Sequence, residues 1–220
     1  MLAYGGVRMQ TDPSMIIFSI VVLILSVIMH EVAHGYAAYS LGDTTAKRAG
    51  RLTLNPLAHI DLFGSIIIPA ILVISHSGFL FGWAKPVPYN PYNLKNQRWG
   101  EAIVGFAGVA TNLLLALLFA LITRLSVAHG YLMFASLAAV ITLVNLSLGL
   151  FNLIPIPPLD GYTVLRGLLP SRLSLAFRNF ETRLRAGGIV TLILVLLVFT
   201  YFFSNIFYAL IQWLFAVLVG

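Results

Sequence analysis

Residues 14–41 read SMIIFSIVVLILSVIMHEVAHGYAAYSL, an apolar run long enough to cross a bilayer that nevertheless carries the pattern HExxH. Ionisable side chains are costly in hydrocarbon, and those found in a span usually face a cavity and act there. His30 and His34 are four residues apart and share one helix face, where both imidazoles can bind one Zn²⁺. Glu31 lies beside them as the expected general base. The run therefore predicts a metal site inside a membrane-spanning helix.

The composition is that of an integral membrane protein. The 220 residues are 60% hydrophobic and 9% charged, whereas soluble domains carry about 25% charged residues. We expect residues 1–220 to form one integral membrane domain. We expect no cleaved signal peptide, because the first apolar run is long enough to span and contains the metal motif.

Two further features of the composition restrict the chemistry. The chain has no cysteine, so any zinc must be held by His, Asp or Glu. Its net charge of +6 comes from basic residues in loops between apolar runs, where such residues orient membrane proteins. We therefore expect the lipid bilayer, and no nucleic acid, to be the partner of the basic residues.

The apolar residues form five blocks, which predict an all-α polytopic fold. The last block has 32 residues, about 48 Å of helix, which is long for a hydrocarbon core of about 30 Å. The polar pair Ser204-Asn205 could divide it into two passes, and the sequence leaves one or two passes open. The blocks are residues 14–41, 62–81, 102–122, 132–153 and 188–219.

The distribution of positive charge predicts that the second block returns to the side from which it starts. A first basic cluster, Lys47, Arg48 and Arg51, precedes it, and a second, Lys85, Lys95 and Arg98, follows it. A third cluster consists of five arginines from Arg166 to Arg185. Only a same-side return places all three clusters on the cytoplasmic side, as the positive-inside rule favours. We therefore expect residues 62–81 to be re-entrant. Residues 49–56 and 83–90 have alternation or prolines two apart, which favours short strands in this region.

A third metal ligand is expected, because a catalytic zinc usually has three protein ligands and a water. Besides Glu31, the chain has six acidic residues, of which five lie in loops or at block ends. The sixth, Asp160, follows the fourth block and a proline-rich break, and the topology places it at the depth of the two histidines. The other interpretation of Asp160 is a turn cap before Gly161.

Together these motifs resemble the site-2 protease family of intramembrane zinc metallopeptidases, in the small prokaryotic form without PDZ or CBS domains. The resemblance covers about residues 16–169. It implies a three-helix catalytic core at about 14–169, flanking transmembrane helices that include a C-terminal segment at 187–219, and a re-entrant strand-containing segment after the first core helix. The motifs are HEVAH at 30–34, LGD at 41–43, RLTLNPLAHID at 51–61, GWAKPVP at 82–88 and NLIPIPPLDG at 152–161.

The resemblance also implies roles for individual residues. It implies one zinc ion per chain, Glu31 as the catalytic acid and base, and Asn152 as a catalytic polar group near the substrate. The family often has Gly-Pro-x-x-Asn in the third core helix, whereas this chain has Val109 in place of the proline. By this motif Asn112 is expected to contact substrate. The implied zinc ligands are His30, His34 and Asp160.

The expected function is hydrolysis of a peptide bond within or near a transmembrane segment of another membrane protein. The family resemblance suggests a single-pass protein, such as an anti-sigma factor, or a remnant signal peptide as substrate. The enzyme would be a multi-pass protein of the cytoplasmic membrane, with its active site open to the cytoplasmic side. A divalent metal-ion transporter is the alternative, although transporters often have two related halves and this chain shows no internal repeat. A membrane scaffold with a non-catalytic metal is a third interpretation.

Overall fold

The fold is described by a computed structural model over residues 13–67, 70–71, 74, 84–96 and 99–220. Helices dominate these residues and no strand occurs among them, which confirms the all-α class. Short turns of 3₁₀ helix lie at Pro56–His59 and Pro91–Asn93, and a π-helical turn lies at Leu62–Ile67. The α-helices are α1 Pro13–Ser40, α2 Thr45–Arg48, α3 Gly100–Ala128, α4 Leu132–Asn152, α5 Asp160–Leu168, α6 Ser171–Ala186 and α7 Gly188–Val219.

In the part of the chain that the structure describes, four helical segments are long and apolar enough to cross a membrane. They are α1, α3 and α4, with 28, 29 and 21 residues, and the Tyr201–Val219 part of α7. Large apolar side chains on their outer faces remain exposed, including Leu114 and Tyr201 at 65% and 83%. Lipid solvates such faces, so the chain is a multi-pass membrane protein. Helix α7 runs unbroken through Ser204-Asn205, so the division considered for the last block does not occur.

Helix α3 is the centre of the core and contacts α1, α4 and α5. Small residues allow these close approaches, as is typical of helices packed in lipid. A Cβ at Gly149 of α4 would lie 2.9 Å from the Leu113 side chain, and one at Gly105 would lie 3.2 Å from Thr163 of α5. Further along α3, Ala116 and Ala120 pack with Phe215 of α7. The core therefore joins the metal-motif helix to the helix that begins with Asp160.

The chain leaves α1 and comes back toward α3 at the same end of α1. The Lys95 amide donates to the Leu41 carbonyl over 2.8 Å. The Asn90 amide and the Asn93 side chain donate to the Asp43 carboxylate over 2.7 and 2.9 Å. Residues on either side of the second apolar block therefore meet at one place. The block itself is described only in part, and its predicted re-entrant path lies largely outside the described residues.

Asp43 is the anchor of this meeting point. It is fully buried, and burial by itself would raise its pKa. Hydrogen bonds from the Thr45 hydroxyl and amide, the Asn93 side chain and the Asn90 amide outweigh burial and lower the pKa of Asp43. The carboxylate is thus held ionised between the end of α1 and the start of the returning loop.

The described residues of the three basic clusters lie at this same end of the helical core. Arg51 donates to the Lys85 carbonyl over 2.6 Å, which joins the first cluster to the second. Arg178 pairs with Glu101 at the start of α3, which places the third cluster beside them. Arg124 lies at the other end of α3 and donates to the Val217 carbonyl. The described basic residues named here, apart from Arg124, are therefore concentrated at one end of the core, whereas the re-entrant path of residues 62–81 stays a prediction.

The predicted strands are absent from the described residues of both stretches. In residues 49–56, Gly50 adopts a φ of +65° after α2, and Asn55 caps the following 3₁₀ turn through the Leu57 amide. In residues 84–90, Pro86 and Pro88 provide no amide donors, so no ladder can form along that edge. The two stretches predicted as strands are therefore non-regular segments that pack on α1. Trp83, the first residue of the second stretch, lies outside the described residues.

The common end of α1, the returning loop and α6 can be tested by labelling. Single cysteines at Ala49, Lys95 and Ser171 should react with an impermeant thiol reagent from one side of the membrane only, because all three positions lie at one end of the core. A cysteine at Ala128, at the opposite end of α3, should react from the other side only. The cysteine-free chain provides the background. Labelling of positions 49 and 95 from opposite sides would overturn this topology.

Candidate metal centre

Three potential ligand atoms converge between α1 and the first residue of α5. The Asp160 Oδ2 atom lies 2.8 Å from His30 Nε2 and 3.3 Å from His34 Nε2. The two Nε2 atoms are 3.0 Å apart. In a tetrahedral zinc site with Zn–N bonds of about 2.0–2.1 Å, ligand atoms are about 3.3 Å apart. The three atoms therefore have nearly the mutual spacing that zinc would impose, and they form a group that could hold a metal ion.

The outer hydrogen bonds of the histidines determine where their protons lie. His34 Nδ1 is 2.6 Å from the Val104 carbonyl oxygen, which can only accept, so Nδ1 carries the proton. His30 Nδ1 is 2.6 Å from Asn112 Oδ1 and donates in the same way. Both Nε2 atoms then present lone pairs toward Asp160.

Asp160 Oδ2 is buried and has no hydrogen-bond donor among the described residues. Three lone-pair atoms that face one another without a proton between them repel, and a cation relieves that repulsion. Two neutral imidazoles and a carboxylate are also a ligand set of catalytic zinc sites, which keep a fourth position for water. The residues present therefore fit a zinc ion.

One face of α3 carries the groups that support the histidines. Val104, Gly108 and Asn112 follow at intervals of four residues and so share that face. The first and last accept hydrogen bonds from His34 and His30, while the glycine leaves room for the rings. A Cβ at Gly108 would lie 2.5 Å from His34 Nε2 and 2.7 Å from His30 Cε1. No side chain larger than hydrogen fits there without displacing the histidines.

Asp160 reaches the histidines because the chain folds back sharply after α4. A Cβ at Gly161 would lie 2.0 Å from the Leu153 carbonyl oxygen, so only glycine allows the start of α5 to lie on the end of α4. The Asp160 carboxylate faces His30 and His34, and it does not cap a turn before Gly161. The geometry thus favours the metal-ligand interpretation of Asp160 over the turn cap.

A buried ionic cluster fixes the other end of α5. Arg166 pairs with Glu101 of α3 and, over 2.6 Å, with Glu181 of α6, and Arg178 pairs with Glu101 as well. Arg166 and both glutamates are buried, and the two positive charges balance the two negative ones. Sequence reasoning placed these residues in loops. The signal that could have revealed the cluster is the rarity of acids in a chain with only seven.

Glu31 is held by a part of the chain that the motif alone did not reveal. Its Oε2 accepts a hydrogen bond from the Val87 amide over 2.8 Å. Gly35, one turn further along α1, makes the approach possible, because a Cβ there would lie 2.5 Å from Leu52 and 2.8 Å from Val87. Arg51 holds the carbonyls just before Val87. The loop of residues 84–90 therefore lies directly against Glu31, the predicted base.

Two predicted site residues, Asn112 and Asn152, have hydrogen-bond partners that the sequence did not predict. Asn112 was expected to contact substrate, but it is 0% exposed and lies behind His30, where it hydrogen bonds to that ring. Asn152 is the last residue of α4, and its side chain donates to the Leu148 carbonyl of the same helix over 3.0 Å. The structure brings together His30, His34 and Asp160, and it gives Asn152 no contact with them among the described residues.

His59, for which the sequence indicated no role, ties the loop together. Its ring donates to the Thr53 carbonyl over 2.8 Å, and its own carbonyl accepts from the Lys85 amide. It is buried, and these contacts lie on the loop and not on the metal-ligand group. Its role is thus structural support of the segment that contacts Glu31.

Comparisons with known proteins give a consistent result. The sequence model of peptidase family M50 matches residues 124–195. The chain is 42% identical over 164 residues to "Putative zinc metalloprotease YwhC" of Bacillus subtilis, which covers 71% of each chain. It is 30% identical over 192 residues to "Putative zinc metalloprotease Rip2" of Mycolicibacterium smegmatis, and the match covers 87% of this chain and 70% of the relative. No solved structure matches the chain.

The close approach of α3 to the histidine rings leads to a prediction at Gly108. Gly108→Ala should lower zinc affinity by at least about 10-fold, because the added methyl displaces ligand rings that must keep their positions. Affinity is measured by competition with a chelator of known zinc affinity. Gly105→Ala is the matched control, since its methyl would meet Thr163 at 3.2 Å and the Asp160 backbone carbonyl at an ordinary van der Waals distance of 3.4 Å, and neither histidine ring is among its nearest neighbours. Equal affinities of the Gly108 and Gly105 variants would contradict the proposed packing.

The ligand set leads to a second prediction. Asp160→Ala should purify with less than one zinc per chain and lose affinity by more than the roughly 10–100-fold typical of outer-sphere changes, because two protein ligands remain. Zinc content is measured by atomic absorption. Asp61→Ala is the control, since that carboxylate bonds the Gly64 amide in the loop. Full zinc content in Asp160→Ala would remove Asp160 from the ligand set.

Proposed function

The chain belongs to peptidase family M50, the site-2 protease family of zinc metallopeptidases, and on this premise we propose that it cleaves a peptide bond within or next to a transmembrane segment of another membrane protein. The observation that carries the proposal is the convergence of His30, His34 and Asp160 at a buried point beside Glu31. A hydrolytic site at this place lies between helices long enough to span the membrane.

The chemistry follows from the residues around this point. His30, His34 and Asp160 would hold the zinc ion, one per chain. When bound, zinc polarises a peptide carbonyl and lowers the pKa of its water to about 7. Glu31 accepts the proton of the attacking water and passes it to the leaving amide nitrogen. The Val87 amide holds one oxygen of the Glu31 carboxylate, so the carboxylate keeps one orientation during the transfer.

Asn152 is proposed to act on the substrate and not on the ligands. Its side chain is half-buried at the end of α4, eight residues before Asp160. Its amide can exchange the bond to the Leu148 carbonyl for one to a substrate carbonyl oxygen, where charge develops in the transition state. Asn112 is left out of substrate binding, since it is fully buried behind His30.

A transmembrane segment must lose helical structure before its peptide bonds can reach such a site. The loop of residues 84–90 contacts Glu31 through the Val87 amide, so an extended substrate segment that lies along this loop would pass the proposed base. We propose a membrane protein segment or a remnant signal peptide as the substrate class. The positive-inside rule supports a protein of the cytoplasmic membrane whose site opens toward the cytoplasm, because the basic clusters lie at the same end as Asp43.

The transporter alternative has no support from the relatives. Those matched are named as metalloproteases, and an acid next to the ligands that is not itself among them is a feature that hydrolysis requires. We therefore propose proteolysis alone.

Replacement of Glu31 tests the proposed function. Glu31→Gln should reduce cleavage of a transmembrane test substrate by at least about 100-fold, because the amide cannot accept the proton. Zinc content should stay at one per chain, because the ligands are unchanged. Cleavage is measured in proteoliposomes by gel analysis of the products, together with metal analysis of the same preparation. Asp61→Asn provides a matched carboxylate-to-amide control and should cleave normally; cleavage by Glu31→Gln within a few-fold of wild type would exclude Glu31 as the base.

A further inference from the structure

We propose that Asn145 is a positioning residue of the metal centre, which acts through Asn112 to hold His30 in the tautomer that can bind zinc. The inference rests on the proposed zinc site. Asn145 lies in the middle of α4, within a membrane span and 1% exposed. A buried amide at this depth costs free energy unless its donor and acceptor groups are hydrogen bonded. The hydrogen-bond partners of Asn145 therefore indicate its role.

A chain of hydrogen bonds leads from α4 through α3 to the ligand on α1. The Asn145 side-chain amide donates to the Ile141 carbonyl of its own helix over 3.0 Å. The Asn145 oxygen accepts from the Asn112 amide over 2.9 Å. The Asn112 oxygen accepts from His30 Nδ1 over 2.6 Å. Three helices are thus connected by two side-chain amides.

The direction of this chain is set by backbone carbonyls, which cannot donate. Because the Ile141 carbonyl accepts, Asn145 must turn its NH₂ group toward it and its oxygen toward Asn112. Because that oxygen and the Ser26 carbonyl both accept, Asn112 must turn its NH₂ group toward them. The oxygen of Asn112 then faces His30 and accepts the Nδ1 proton.

The opposite orientation of Asn112 would prevent zinc binding by His30. With its amide reversed, Asn112 would donate to Nδ1, and the His30 proton would move to Nε2, the atom that faces Asp160 and His34. Asn145 opposes this reversal, because the oxygens of the two amides would then face each other. Asn145 therefore acts on the metal site through Asn112, with no direct contact to a ligand required.

The role of Asn145 differs from that of a buried polar residue that hydrogen bonds only to the backbone of its own helix. Thr142 lies one turn before Asn145 on α4 and is also fully buried. Its hydroxyl donates to the Ala138 carbonyl of the same helix. Thr142 thus provides a matched control for burial, depth and loss of a polar group.

The test measures zinc affinity of the full chain in detergent by chelator competition. Asn145→Leu keeps the approximate volume but removes the acceptor, and we expect zinc affinity to fall about 10–100-fold, as for other residues that orient zinc ligands. Thr142→Val should stay within about 3-fold of wild type. Asn145→Asp keeps an oxygen toward Asn112, and its protonated acid can donate to the Ile141 carbonyl; it should also stay within about 3-fold.

A double variant separates positioning from packing. Asp at position 112 accepts from His30 in either orientation, so in the Asn112→Asp background Asn145→Leu should change zinc affinity by less than about 3-fold. The inference would be overturned if Asn145→Leu lowered zinc affinity equally in the wild-type and Asn112→Asp backgrounds. It would also be overturned if Asn145→Leu alone kept wild-type zinc affinity. If Asn145→Leu does not fold, a 10-fold or larger loss in Asn145→Asp would overturn it instead. Absence of zinc binding by the wild-type chain would contradict the proposed function and not this inference alone.

Discussion

The structure depends on one electrostatic constraint: two imidazole nitrogens and a carboxylate oxygen meet within a few ångströms with no proton between them. His30 and His34 donate their other ring protons outward, to an amide oxygen and a backbone carbonyl. Asp160 is brought to them from a helix that begins 126 residues after His34 in the chain (160 − 34). Such an arrangement is unfavourable without a cation, and the hydrogen bonds to Asn112 and Val104 fix the two rings that take part in it.

Helix α3 does much of this holding, although it contributes no ligand. On one of its faces, the Val104 carbonyl and the Asn112 side chain accept hydrogen bonds from the two histidines. Gly108, one turn from each, leaves the space that the rings occupy. The gap permits the close approach on which both hydrogen bonds depend. In lipid, where the hydrophobic effect does not drive helices together, small residues and interhelical hydrogen bonds are the available means of association. The same positions of α3 therefore allow the helices to pack closely and hold the histidine rings.

The end of the core that carries the site is reinforced by charges. Asp43 holds the returning loop, Arg51 holds the carbonyls before the amide that contacts Glu31, and Arg166 fixes the helix that begins with Asp160. Each is buried and hydrogen bonded, which is how charge is tolerated away from water. Asp43, Arg51 and Arg166 thus fix the segments that carry Asp160 and contact Glu31.

The sequence by itself determined much of this protein. The apolar blocks predicted the spanning helices, the HExxH spacing predicted that His30 and His34 share one helix face beside Glu31, and the scarcity of acids pointed to Asp160 as the residue that joins them. These predictions follow from hydropathy, helical periodicity and coordination number. Tertiary structure alone decided that α7 is unbroken, that residues 49–56 form no strand, and that Asn112 is buried and accepts a hydrogen bond from His30. The partners of an amide, and the space beside a glycine, depend on which helix faces lie together, and local patterns do not contain that information.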